Sequence, residues 1–302
     1  MKLTILGCYA ATPRTLTNPT SQVLDINNHL FLIDCGEGTQ VELRRHKIKF
    51  FRIKHIFISH LHGDHVYGLV GLISTFKMLK RDTPLHVYGP KGIKEMITIQ
   101  LKLSNSWTDY PLHFHELESK ESELIFEDEK VTVKTIPLQH RIYCNGYLFE
   151  EKPNDRKLNL EATLNYNIDK AYFNSIKKGK NITLDSGKIV DNKELTYEPE
   201  PSKSYAFCSD TRYNEDKIPL LKNATVLYHE STFLESHEHL CDFTGHSTAK
   251  QAAVIAQKSN VSTLILGHYS TRYGSIKQFK EEAKEVFENT LLAEDGKYFE
   301  WK

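Results

Sequence analysis

Short apolar runs separated by polar turns recur along the chain, at 3–6, 23–26, 30–33, 55–59, 85–88, 131–136, 205–208, 225–228 and 263–266. Their length and their content of Val, Ile, Phe and Tyr predict β-strands. Longer stretches with apolar positions three and four apart, at 68–80, 91–103, 247–259 and 275–288, predict helices between them. Strands and helices therefore interleave, yet the first three strands follow one another through tight turns such as Asn27-Asn28. That mixture predicts an α/β (α+β) protein with a mixed sheet, or two packed sheets, flanked by helices.

With 302 residues, 39% of them hydrophobic, the chain has ample length for a large core, and a single domain over 1–302 is expected. Basic and acidic residues balance at 39 each, so global charge points to no nucleic-acid or membrane partner; any such surface must be local. Cys8, Cys35, Cys144, Cys208 and Cys241 are scattered and never spaced C-x-x-C, which argues against a disulfide framework and for a reducing compartment. The opening MKLTILGC has too short an apolar run for a signal peptide and is read as a first strand. No segment reaches the roughly 18 apolar residues of a membrane span. A cytoplasmic protein is expected.

Two segments differ in composition. Residues 116–130 carry seven acids against two lysines, which suits a solvated hairpin turn. Residues 151–202 are long, polar and poor in apolar repeats, the mark of a functional or mobile segment.

Fifteen histidines are many for this length and hint at metal. Three of them crowd the end of the fourth strand, in Phe57-Ile-Ser-His-Leu-His-Gly-Asp-His-Val-Tyr-Gly-Leu69. His60, His62 and Asp64 alternate, so an extended chain would point all three the same way, and Gly63 allows the turn that brings His65 to them. A histidine-rich loop satisfied by backbone and water is the bland alternative. Three further apolar runs also end in a metal-competent side chain: 131–139 before His140, 205–209 before Asp210, and 263–267 before His268. Strand ends of an open sheet converge at one edge, where ligands bind.

The resulting inventory places His60, His62, His140 and Asp210 around one ion, and Asp64, His65, His268 and Asp210 around another. Imidazole-rich, thiolate-free sites suit zinc first, with manganese or iron as alternatives. A shared carboxylate would hold two ions roughly 3.5–4 Å apart, with open positions for chemistry.

The segment Ser59-His-x-His-x-Asp-His65 resembles the signature of the metallo-β-lactamase superfamily, whose fold is a four-layer αββα sandwich. Further matches are Val87-Tyr-Gly-Pro-Lys-Gly-Ile93, Asp210-Thr-Arg212, His229-Glu-Ser-Thr-Phe233, His246-Ser-Thr-Ala249, Gln251-Ala-Ala253 and His268-Tyr-Ser-Thr-Arg-Tyr273. Together these resemble the short form of the ribonuclease Z family over nearly the whole chain. The chain reads Ile168-Asp-Lys-Ala171 where short bacterial members carry Gly-Pro in a protruding arm.

The resemblance implies an endoribonuclease that removes the 3′ trailer of precursor tRNA, leaving a 3′-hydroxyl on the tRNA and a 5′-phosphate on the trailer. It implies two zinc ions per subunit, a homodimer, and a flexible tRNA-gripping arm inserted at 152–202. Asp64 then accepts a proton, and His246, backed by Glu230, donates one to the leaving oxygen. A helix-capping or core role is the alternative for that pair. Lys177, Lys178 and Lys180, beside Tyr172 and Phe173, would contact RNA, as would Arg272. The basic run from Arg44 to Arg52 suits a solvated helix end as well as RNA contact. The competing functions are another metallohydrolase of the same fold, such as a thioesterase, lactamase or arylsulfatase, and a non-catalytic RNA-binding protein.

Overall fold

The computed structural model describes residues 1–12 and 14–301. It divides into a larger unit, Met1–Glu150 with Ser204–Lys302, and a smaller one, Glu151–Lys203.

In chain order, the first strands are β1 (Lys2–Gly7), β2 (Ser21–Ile26), β3 (His29–Ile33), β4 (Ile53–Phe57), β5 (Leu85–Pro90) and β6 (Leu112–Leu117). Next come β7 (Leu124–Glu127), β8 (Val131–Leu138) and β9 (Cys144–Glu151). The smaller unit holds β10 (Lys157–Leu158), β11 (Ile182–Thr183), β12 (Ile189–Val190) and β13 (Thr196–Tyr197). The larger unit resumes with β14 (Ser204–Cys208), β15 (Val226–Glu230), β16 (Thr263–Gly267), β17 (Thr290–Leu292) and β18 (Tyr298–Glu300).

One sheet runs β18-β1-β2-β3-β4-β5-β6, and the other β17-β16-β15-β14-β9-β8-β7. Strands β3 to β6 pair in parallel, as do β14 to β17, whereas β1, β2 and β18 pair antiparallel. Each parallel block therefore gathers its carboxyl-terminal ends along one edge.

Period-two alternation sorts the side chains into layers. On β3, Phe31 and Ile33 join the apolar cluster that contains Phe149 and Phe207 of the other sheet, while Leu30 and Leu32 join a second cluster. Phe149 lies 5.3 Å, ring to ring, from both Phe31 and Phe57, which places the two sheets face to face. The second cluster joins Ile56 and Ile58 to Leu69, Ile73 and Phe76 of the helix Gly68–Met78 and to Ile97 of the helix Ile93–Leu103. On the far side, the helix Ala249–Lys258 packs on β15 and β16. The order is helices, sheet, sheet, helices. Two packed sheets, one of the two alternatives left by the sequence pattern, is the arrangement found.

The helix starting at Ala249 is set by a capping box. Thr248 Oγ1 accepts from the Gln251 amide at 3.1 Å, and Gln251 Oε1 accepts from the Thr248 amide at 3.0 Å. That cap fixes His246 and Ser247 immediately before it. Strands β6 and β9 have no strong apolar run in the sequence: β6 alternates histidines with apolar residues, and β9 opens on Cys144-Asn145-Gly146. Within 116–130, a turn does follow β7, where Asp128 Oδ1 accepts from the amides of Lys130 and Val131. The acids before it, however, belong partly to β6 and β7.

The smaller unit has its own small core of Ile176, Ile182, Val190 and Leu195. Its two strand pairs are β10 with β13 and β11 with β12. Asn192 ties it together by donating from Nδ2 to the carbonyls of Ile176 and Lys180. At Ile168-Asp-Lys-Ala171 the chain makes a capped turn, Asp169 Oδ1 accepting from the Ala171 amide at 2.8 Å.

Candidate active site

Five strand ends of the larger unit supply the site. Ser59 and His60 follow β4, His140 follows β8, and Asp210 follows β14. Glu230 ends β15, and His268 follows β16.

After His60 the chain does not stay extended. His62 still has φ −68° and ψ 147°, but Gly63–Val66 is a single helical turn, so Asp64 and His65 leave the line of His60 and His62. A Cβ at Gly63 would sit 2.2 Å from the Tyr67 ring, which is why the turn takes a glycine. The helical turn sends Asp64 toward His65 and His268 instead, with Oδ2 at 3.3 and 3.5 Å from their Nε2 atoms.

Two sets of nitrogens result. His60 Nε2 and His140 Nε2 lie 3.0 and 3.3 Å from His62 Nδ1. His65 Nε2 lies 3.3 Å from His268 Nε2. Asp210 faces both sets: Oδ2 is 3.6 Å from His60 and 3.9 Å from His140, and Oδ1 is 3.4 Å from His65 and 3.2 Å from His268. Side chains His60, His62, His140 and Asp210, and likewise Asp64, His65 and His268, are close enough to share an ion. A third grouping, Asp210, His246 and His268, is also close enough.

Outer hydrogen bonds fix which nitrogen of each ring points inward. His140 Nδ1 donates to the Gly245 carbonyl at 2.7 Å. His65 Nδ1 meets Asp34 Oδ2 at 2.7 Å, and His60 Nδ1 meets Ser59 Oγ at 3.0 Å. Thr232 Oγ1 donates to Glu230 Oε2 and so accepts from His268 Nδ1 at 2.9 Å. Burial holds His60, His62 and His140 below the ordinary imidazole pKa. A single proton on His62 Nδ1 reaches only one of the other two inward nitrogens, and among the described residues Asp210 Oδ1 is buried with no hydrogen-bond donor. Such a set of converging acceptors fits a divalent cation in the gap. Burial disfavours charge on His65, but Asp210, Asp64 and Asp34 outweigh it and raise its pKa well above normal. Three carboxylates therefore crowd the second set.

Glu230 and His246 form a separate pair. Glu230 Oε1 accepts from His246 Nδ1 at 3.0 Å, from the Ser247 amide and from the Thr211 amide. Burial disfavours the imidazolium of His246, yet the Glu230 carboxylate and its hydrogen bond raise the pKa above the ordinary value. The residue is 9% exposed, and with Nδ1 committed to Glu230 its Nε2 is left to exchange a proton. His229, by contrast, is fully buried and stands apart, donating from Nδ1 to the Glu230 carbonyl.

Arg272 is exposed, with its guanidinium 5.0 Å over the ring of Phe233, whose centroid is 6.1 Å from that of His246. Lys177, Lys178 and Lys180 belong to the smaller unit, at the end of the helix Phe173–Lys177 and the turn after it. In the run from Arg44 to Arg52, Arg45 pairs with Glu42 and Arg52 donates to the Asn28 carbonyl. Sequence reasoning missed Asp34, Ser59 and Thr232 as partners of the ligand rings. Asp34 follows β3 just as the other acidic residue, Asp210, follows β14, so the strand-end pattern contained the signal.

The family model described as anti-Pycsar protein Apyc1 matches residues 1–152. Ribonuclease Z of Bacteroides fragilis is 42% identical over 295 residues, covering 98% of this chain and 97% of its own. Ribonuclease Z of Cytophaga hutchinsonii is 44% identical over 299 residues, covering 99% and 95%. Among solved structures, human tRNase Z, short form, superposes with a TM-score of 0.72 at 26% identity, over 99% of both chains. The metallo-β-lactamase fold protein YhfI of Bacillus subtilis superposes with a TM-score of 0.68 at 18% identity, over 99% and 98%, a likeness of fold.

Proposed function

The chain belongs to the ribonuclease Z family, and we propose that it removes the 3′ trailer of precursor tRNA with two zinc ions per subunit, held by the two side-chain sets that meet at Asp210. The observation that carries this reading is the split carboxylate of Asp210, whose two oxygens face separate histidine sets while Oδ1 has no donor of its own. The first ion would take His60, His62, His140 and Asp210, and the second Asp64, His65, His268 and Asp210; manganese or iron would suit the same donors.

Held by these residues, two divalent cations would supply water acidified to near neutral pH and would offset the charge on phosphoryl oxygens. The chain's own groups handle the protons. Asp64 accepts the proton of the attacking water as its oxygen bonds to phosphorus. His246 gives its Nε2 proton to the 3′ oxygen as the P–O3′ bond breaks, and Glu230 stabilises the imidazolium beforehand. Because water and not a 2′-hydroxyl attacks, the tRNA keeps a 3′-hydroxyl and the trailer carries the 5′-phosphate. The atom of His246 nearest Asp210 is Nδ1, 4.0 Å from Oδ2, and Glu230 holds that atom, which leaves Nε2 for the acid's role.

Arg272 contributes a cation at the rim for a substrate phosphate, and the lysines at 177, 178 and 180 supply the arm with charge that a net-neutral chain otherwise lacks. A homodimer belongs to the same reading. So does a cytoplasmic location, supported by five free cysteines; among the described residues no helix is long and apolar enough to cross a membrane. The deciding experiment is incubation with a 3′-extended precursor tRNA and mapping of both product ends. Cleavage at the trailer junction with a 3′-hydroxyl is expected, and cyclic-phosphate ends or an uncut precursor would refute the reading.

A further inference from the structure

A cavity of about 820 Å³ opens beside His140 in the larger unit. Two of the side chains lining it are buried yet poorly satisfied. Asn145 is 1% exposed, and a relay fixes its amide: Nδ2 donates to the Tyr143 hydroxyl at 2.9 Å, which donates to the Ser119 carbonyl at 2.7 Å. Its Oδ1 is left as a buried acceptor without a donor among the described residues. Lys217 is 3% exposed; among the described residues its ammonium has one hydrogen bond, a long one of 3.5 Å to Thr211 Oγ1, and the Glu230 carboxylate acts on it only at longer range. Burial pushes its pKa down. A buried acceptor and a buried ammonium both cost stability until something pairs with them. Arg212 lines the same cavity. The carboxylates there, Glu121 and Asp216, belong to exposed residues whose charge water screens.

A ligand that answers both groups must offer a hydroxyl donor and an anion. We propose that this cavity receives a ribose-phosphate unit of the RNA beside the scissile bond, with its 2′-hydroxyl donating to Asn145 Oδ1 and its phosphate facing Lys217. The proposal rests on the endoribonuclease reading and adds how the site distinguishes RNA from DNA, since the 2′-hydroxyl is the group that differs.

The test compares binding of uridine 3′-monophosphate and its 2′-deoxy counterpart, by titration calorimetry on the metal-loaded protein, for the wild type, Asn145→Ala and Lys217→Met. The wild type should favour the ribonucleotide about five- to tenfold, the contribution of one neutral hydrogen bond. Asn145→Ala should erase that preference. Lys217→Met, which places an apolar chain of similar length in a buried position, should weaken both nucleotides and keep the preference. A wild type that binds both sugars equally, which needs no variant to observe, overturns the proposal, as does a preference that survives Asn145→Ala. Precursor tRNA left uncut by a protein that still shows the Asn145-dependent preference would sink the endoribonuclease reading and leave the sugar-phosphate site standing.

Discussion

His65 Nδ1 and Asp34 Oδ2 lie 2.7 Å apart, and both residues are fully buried. The same carboxylate accepts from the amide of Ser59 at 2.7 Å and from its hydroxyl at 2.9 Å. One acid at the end of β3 thus orients a ring of the metal set and the strand end that carries His60.

Asp34→Asn tests that role. Asp34 has φ 54°, a left-handed conformation that asparagine also tolerates, so the backbone should hold. Partners behind a ligand ring are typically worth 10–100-fold in metal affinity. Competition against a chelator should therefore show a loss of about that size, with an unchanged circular dichroism spectrum. Wild-type affinity in the variant would count against the role.

Asp210→Ala and His246→Ala should separate ligand from proton donor. Asp210 faces both histidine sets, so its loss should strip metal and abolish cleavage with the fold retained. His246→Ala should retain the full metal content and slow cleavage by about 10²–10⁴-fold, the usual size of general acid help. Elemental analysis of both proteins decides. Metal missing from the His246 variant would make that residue a ligand, in keeping with its place beside Asp210 and His268.

Reversing Lys177, Lys178 and Lys180 to Glu, or replacing residues 158–195 by a short linker, should raise KM for precursor tRNA and flatten its salt dependence. Hydrolysis of bis(p-nitrophenyl) phosphate, which needs no tRNA grip, should be untouched. The apolar cluster of Ile176, Ile182, Val190 and Leu195 is internal to the smaller unit, so its removal opens no hole in the core between the sheets. Equal losses on both substrates would mean that the segment supports the site itself.

His55 offers a pH test away from the metal set. Burial, then the charges of His86 and His29, push its pKa down to about 3. The unfolded chain binds a proton near pH 6.5 that the folded chain refuses until about pH 3, so stability should fall as pH drops across that window. His55→Phe, which keeps a ring against Phe31 and Phe126, should lose less in Tm between pH 7 and pH 5 than the wild type. Parallel slopes for the two proteins would argue against this assignment.

The apolar runs at 30–33 and 55–59 were legible because alternation is a local property: two neighbouring positions face opposite sides whatever lies beyond them. The metal-competent side chains at the ends of such runs were legible for the same reason. So was the helix expected at 247–259, whose capping box of Thr248 and Gln251 the structure added. Strands β6 and β9 were not, because histidines in one and Asn145-Gly146 in the other break the apolar pattern, and only pairing with β5 and β14 makes them strands. Extended alternation would have kept Asp64 with His60 and His62. Helical closure at Gly63–Val66 moved it to His65 and His268. His65 and His268 are 203 positions apart, and Ser59 and Ser209 are 150 apart at 3.0 Å. No window of sequence contains such a pair. β3 and β4 had to pair side by side in one sheet before Asp34 could reach His65, and the two sheets had to pack face to face before Asp210 could face two histidine sets at once.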